Sequence, residues 1–420
     1  MRLTDFHHLL DRFVADHLVT LRCAGTLSLI VLVIALPLGH MLALRSVSFG
    51  LLAVCTILLA SASPAYEVKK LPLLWVFAIW LSAALLSLTA SPDAMSALEN
   101  IWKEIIKSTV VFYVAYLFAR TCADENTACL PALSSLFMLS GAAVIAWGLH
   151  GAWKNVGPVP ALGDYNTSAI TLLPLAALPI YACWRQKLGR CTTAIFIVTL
   201  ALTLIGAALS QSRSFWLVIA VMLVTARLIG DSRRGFHWDR SIIFIGGALC
   251  LIALIAYVVA RWRGMDLLFF DARSNIYLPV LRRLENSPLT GFGFGHESSQ
   301  AWYQANMVEA GVFHAHNLIL SYAEQMGILG LAAVLAIFGG LVQRFFRYVA
   351  SPNPFRASIA CIGVAMVAGV FVKNNLDFFF SRHNLLLFFL CCGVLLGILE
   401  MSDEYDTNSS SPQRKTQDIS

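Results

Sequence analysis

Charge is what this sequence has least of. Asp, Glu, Lys and Arg make up 13% of its 420 residues, where a soluble domain carries about 25%. Hydrophobic residues reach 58% and the mean hydropathy is +0.72. A chain of that balance cannot surround a soluble core with a polar coat, so the membrane class follows. A cleavable leader is not expected, because Arg2, Asp5, Asp11, Arg12, Asp16 and Arg22 precede the first long apolar run, which leads straight into others. A disulfide framework is excluded as well. The ten cysteines lie mostly in apolar runs (Cys55, Cys250, Cys361, Cys391, Cys392), and none falls within 261–317, the segment most exposed to an oxidising compartment. The net charge of +6 is scattered over short loops, which speaks for membrane topology and against nucleic-acid binding. No internal repeat is visible, and ionisable residues are nearly missing inside the apolar runs. Arg213, Lys373, Asp377, Arg382 and His383 sit at run ends instead, which argues against a transporter with a midplane ion site.

What remains is long apolar runs. A span needs about 20 apolar residues. The runs predict spans at 24–38, 43–61, 71–90, 108–121, 128–150, 166–183, 192–210, 214–230, 241–260, 318–343, 354–373 and 382–400. Pro37 and His40 mark either a break between the first two or a kink in one helix. The expected fold is an all-α polytopic membrane protein of about 12 transmembrane helices with one large extracytoplasmic loop domain containing short helices. Most lysines and arginines fall on the cytoplasmic side when the N-terminus is placed inside, and an even number of spans puts the C-terminus there too.

Five segments result. Residues 1–22 read as an amphipathic helix on the cytoplasmic surface, from the spacing of Leu3, Phe6, Leu10, Phe13, Val14 and Leu18, with a frayed tail as the alternative. Residues 23–260 hold spans 1–9, 261–317 form the loop domain and 318–401 hold spans 10–12. The tail 402–420, rich in Ser, Asp and Thr, is expected to be disordered.

The loop 261–317 carries the chemistry. Asp271 can cap a helix starting at Ala272, with Ile276, Leu278, Val280, Leu281 and Leu284 as its apolar side and with Arg273 and Tyr277 on one face at i and i+4. It should end near Asn286-Ser287-Pro288. Gly291-Phe292-Gly293-Phe294-Gly295-His296 must then turn. The run lacks the strand, helix and lysine of a nucleotide site, so it reads as a turn, with a backbone N–H cradle for phosphate as the alternative. A second helix is expected from Gln300 to Ala310, and His314-Ala315-His316-Asn317 follows at the mouth of a span. A His pair at i, i+2 without a nearby Cys or carboxylate is a poor zinc signature, and no Asp-x-Asp lies on the outer side to hold a metal between phosphates. Metal-free chemistry is expected, with no cofactor. Arg213, at a tight turn between two spans, either snorkels to headgroups or grips an anion with its planar fork of donors. The loop also carries the aromatic residues Tyr277, Trp302 and Tyr303.

These residues resemble a family. His316-Asn317, then nine residues, then Gly327-Ile328-Leu329-Gly330 is similar to the signature of lipopolysaccharide O-antigen ligases. Ser212-Arg213, Arg273 followed by Tyr277, the stretch Ser287-Pro288-Leu289-Thr290-Gly291-Phe292-Gly293, and Gly163-Asp164-Tyr165-Asn166 add to the likeness. The resemblance implies glycosyl transfer at the periplasmic face of a Gram-negative inner membrane. The donor would be a glycan on undecaprenyl pyrophosphate, and the acceptor a sugar hydroxyl of lipid A–core. It carries the family's arginines onto Arg213 and Arg273 and its histidine onto His316, with His314, Tyr277 and Asn317 as weaker substrate-binding positions, and it makes the loop aromatics Tyr277, Trp302 and Tyr303 candidates for sugar contact. An imidazole with an ordinary pKa of about 6.5 can act as a neutral base. Direct displacement would invert the anomeric centre. Within the same superfamily a polymerase joining two lipid-linked repeats is the alternative. A protein oligosaccharyltransferase fits less well, since such chains carry more outer sequence, and a lipid-linked glycan transporter would show repeated halves and polar spans.

Overall fold

The computed structural model describes residues 3–36, 41–61, 71–122, 218, 220–222, 224, 225, 228, 229, 270–306, 314–376, 378, 380 and 382–409. Among them every regular element is helical. They are α1 (Leu3–Ala35), α2 (Leu42–Ser61), α3 (Leu74–Ser87), α4 (Ala94–Asn100), α5 (Lys107–Cys122), α6 (Phe270–Leu284), α7 (His296–Asn306), α8 (Leu318–Val349), α9 (Pro354–Leu376) and α10 (Arg382–Ser409). A 3-10 turn (Leu88–Ala90) extends α3, and a π-helical turn (Ile101–Ile106) joins α4 to α5. Five helical stretches among the described residues are long and apolar enough to cross a membrane: Arg12–Ala35, Leu42–Ser61, Leu318–Val349, Arg356–Leu376 and Arg382–Glu400. The chain is an α-helical membrane protein. The predicted spans at 128–150, 166–183, 192–210 and 241–260, most of 214–230, and the motif at Gly163 to Asn166 lie outside the described residues.

Several boundaries differ from the sequence reading. No separate surface helix occupies 1–22, because α1 runs unbroken from Leu3 to Ala35 and no proline interrupts it. The first two spans are distinct helices, α1 and α2. In the loop domain α6 begins at Phe270, so Asp271 is inside its first turn and is not the residue before it. The next helix, α7, starts at His296, four residues ahead of the expected Gln300. Residues 402–409, expected to be disordered, continue α10.

The helices approach one another through small residues. Gly393 and Gly397, four apart on α10, lie against the backbone of α5, where a Cβ on either would overlap Phe112 O or Tyr116 O. Ala115 and Ala119 line the facing side of α5. This is the small-residue contact that lets membrane helices pack closely where burial of apolar surface supplies no driving force. At one end of this seam Glu400 ties three elements together. It accepts from Tyr116 Oη at 2.6 Å and pairs with Arg344 Nη1 of α8 at 2.7 Å. The candidate site lies at the opposite end, where α8 begins and α9 finishes.

Candidate functional site at the mouth of a broken helix

The long span predicted at 318–343 is a helix with a break in it. Gly327 interrupts α8 with φ 66° and ψ −167°, outside the helical region. The interruption exposes main-chain groups that a continuous helix would satisfy internally, and at membrane depth such groups need partners. The glycine-rich loop after α6 supplies them. Phe292 N donates to Glu324 O at 2.9 Å, Gly293 N to Gln325 O at 3.1 Å, and Ile328 N to Pro288 O at 2.8 Å. Gly295 N donates to Gln325 Oε1 at 3.1 Å. The loop is therefore a main-chain clamp on the broken span. With the amides of Gly291, Phe292, Gly293 and Gly295 each donated within the protein, the alternative of a phosphate cradle here is corrected to a structural seam.

Directly before α8 the chain is extended at Asn317 (φ −150°, ψ 130°). The Asn317 side chain caps the helix by accepting from Leu320 N at 3.1 Å, and its Nδ2 donates to Asn375 O at 3.0 Å in the last turn of α9. One residue earlier, His316 has φ 50°. A non-glycine residue in that left-handed region is strained, and such strain clusters at functional sites. Ala315 is 0% exposed and packs with Ile276, Val280 and Tyr303 in a small core beneath α6 and α7, against which Tyr277, Trp302 and Leu320 also rest. The methyl of Ala315 thus faces one way. The two histidines flanking it come together, with ring centroids 4.1 Å apart.

A third imidazole joins them. His296, the first residue of α7, lies 5.0 Å from His314, and Phe378 packs against both at 5.4 and 6.0 Å. Burial, then His316 and His296 alongside, push the His314 imidazole down to about 2, so it is neutral at ordinary pH. No group of three or more His, Cys, Asp or Glu among the described residues is arranged to hold a metal ion. Lys373 is fully buried in the turn of α9 that receives Asn317. Glu104 in the π-helical turn accepts from Arg382 N at 3.3 Å, bringing the start of α10 to the same end.

Of the residues singled out from sequence, His314, His316 and Asn317 are brought together, and Tyr277 lies half-buried behind them on the core around Ala315. Arg273 lies in the first turns of α6, one turn before Tyr277. Arg213 lies outside the described residues. Tyr303, read as a sugar contact, is 1% exposed and instead donates to Glu324 Oε2 at 2.5 Å. Burial and that carboxylate push its phenol up, so it remains an O–H donor. Two residues were missed. His296 looked like the end of a turn. Glu324 was passed over inside an apolar run, although a lone carboxylate in a span is itself a signal of function.

Residues 198–335 match the family model described as O-antigen ligase. Over that stretch, about a third of its length, the chain is similar to the O-antigen ligase family. The matched stretch contains Arg213, the whole of α6 and α7, the glycine-rich clamp, His316-Asn317 and the break at Gly327. The superfamily match and the geometry thus meet on the same residues. A comparison with curated proteins finds no match.

Proposed function

We propose that this protein is a member of the O-antigen ligase superfamily and acts as an O-antigen ligase. It would transfer a glycan from undecaprenyl pyrophosphate to a sugar hydroxyl of lipid A–core, at the periplasmic face of the inner membrane of a Gram-negative bacterium, with both termini in the cytoplasm. The observation that carries the reading is the strained, half-buried His316 at the mouth of an interrupted span, inside the matched segment.

His316 takes the proton of the acceptor hydroxyl as its oxygen forms a bond to the anomeric carbon. The bond from that carbon to the pyrophosphate oxygen breaks, and undecaprenyl pyrophosphate leaves with the electron pair. A positioned base of this kind contributes about 10²–10⁴-fold. Arg213 and Arg273 hold the pyrophosphate, whose developing charge is stabilised best by donors already fixed in place. Tyr277, His314 and Asn317 complete the binding surface. His314, held neutral by burial, adds no positive charge beside His316 as it takes the proton. The reaction needs no metal and inverts the anomeric centre.

The test is transfer by the purified full chain, given lipid-linked glycan with and without lipid A–core. Glycan on lipid A–core, with an anomer opposite to that of the donor and in the presence of EDTA, supports the reading. Longer lipid-linked chains without acceptor would identify a polymerase instead, and retention of the anomer would remove the direct displacement.

A further inference from the structure

Three helices meet on one carboxylate that the proposed chemistry does not use. Glu324, 2% exposed, sits on α8 three residues before the break at Gly327. Arg283 from the last turn of α6 pairs with its Oε1, and Tyr303 from α7 donates to its Oε2. The same residue's main-chain oxygen receives Phe292 N from the clamp. The Arg283 guanidinium lies over two rings, 4.3 Å from the Phe292 centroid and 4.4 Å from that of Trp302. A planar cation packed against aromatic rings keeps its donors for partners along its edge, here Glu324.

We propose that Glu324, Arg283 and Tyr303 form a positioning unit for the transfer site, which holds the 314–317 segment in its reactive conformation. Tyr303 belongs to the small core in which Ala315 is buried, so fixing its phenol on Glu324 steadies the packing behind His314 and His316. His316 keeps its left-handed backbone only while its surroundings impose it. A buried ion pair is a poor way to gain stability, since apolar residues of similar size often do as well or better. What the pair provides here is direction. It sets the approach of α6 and α7 to α8 at the point where α8 breaks. The kinetic half of this proposal rests on the ligase reading, while the structural half does not.

The experiment uses the full chain in lipid nanodiscs, with lipid-linked glycan and lipid A–core. Its variants are Glu324→Gln, Arg283→Lys, Tyr303→Phe and the double variant Arg283→Met with Glu324→Met. The single charge variants should lower kcat per folded molecule by about 10²-fold, the size expected of a small misplacement, with the donor KM unchanged. Tyr303→Phe should fall between them and the wild type. The double variant should regain the wild-type thermal midpoint without regaining kcat. Amide hydrogen exchange should quicken at 291–293 and 314–317 in the single charge variants. Recovery of kcat together with stability in the double variant would reduce the unit to packing and overturn the proposal, as would unchanged exchange at 314–317. If the wild type transfers nothing, the ligase reading fails, and the exchange comparison still decides whether Glu324 holds the segment.

Discussion

A Cβ added at Gly327 would overlap the carbonyl of Leu289, at a position whose φ is +66°. The break in α8 and the glycine-rich clamp therefore require each other: the glycine admits the loop, and the loop satisfies the groups that the break exposes.

Gly327→Ala should destabilise the protein on two counts. A backbone at φ 66° and ψ −167° lies in a region essentially reserved for glycine and costs a residue with a Cβ about 1–3 kcal/mol, and the overlap with Leu289 forces the clamp away from α8. The expected result is a lower thermal midpoint, faster proteolysis near residue 290 and loss of transfer. Substitution at Gly339, where an added Cβ meets nothing within 4 Å, is the matched control and should leave stability close to wild type.

His316→Asn should remove the base while keeping the fold, because asparagine tolerates the left-handed region better than most residues. Transfer should drop by about 10²–10⁴-fold, with the protein still present in the membrane and its thermal midpoint nearly unchanged. Normal glycan attachment in this variant would exclude His316 as the base.

Arg213→Lys and Arg273→Lys should each harm transfer far more than conserved charge suggests. Lysine is a point charge and does not reproduce the paired donors of a guanidinium. Titration with donor at fixed acceptor is the measurement; near-normal rates in both would argue against paired donors to the pyrophosphate.

His314 makes stability depend on pH in a defined direction. In the folded chain its imidazole is pushed down to about 2, whereas an unfolded histidine titrates at about 6.5. Between those values the unfolded chain binds a proton that the folded chain refuses, so this site favours folding fully above pH ~6.5 and loses that contribution progressively as pH falls below it. Thermal midpoints measured from pH 7 down to 4.5 should fall less steeply in His314→Gln than in the wild type. An identical slope would show that this imidazole is not held neutral.

The legible and illegible parts of this protein divide by the distance over which information travels along the chain. Hydropathy is local, so the membrane class and the runs that became α2, α9 and α10 could be read directly. The mouth of α8 was legible too, since His314, His316 and Asn317 are neighbours in sequence as well as in space. Gly327 was visible as part of a spacing, yet a single glycine in an apolar run gives no sign that the helix breaks there. The cause lies in the 288–293 clamp, more than thirty residues earlier. Glu324 and Arg283 are 41 positions apart, and neither announces the other. His296 reads as the end of a turn until α7 carries it against His314.

By itself the sequence determined that the chain is a helical membrane protein, that its polar chemistry gathers before one span, and that His316 with Asn317 stands at that span's mouth. Composition and short-range spacing suffice for those statements, because a bilayer imposes length and apolarity on every span and a helix start imposes its own cap. Only the tertiary structure decided that the span is broken, that a distant glycine loop supplies the partners its backbone lost, and that one buried carboxylate gathers three helices behind the histidines. Each of those depends on main-chain groups and charges that must find partners once water is excluded, and the partners lie far away along the chain.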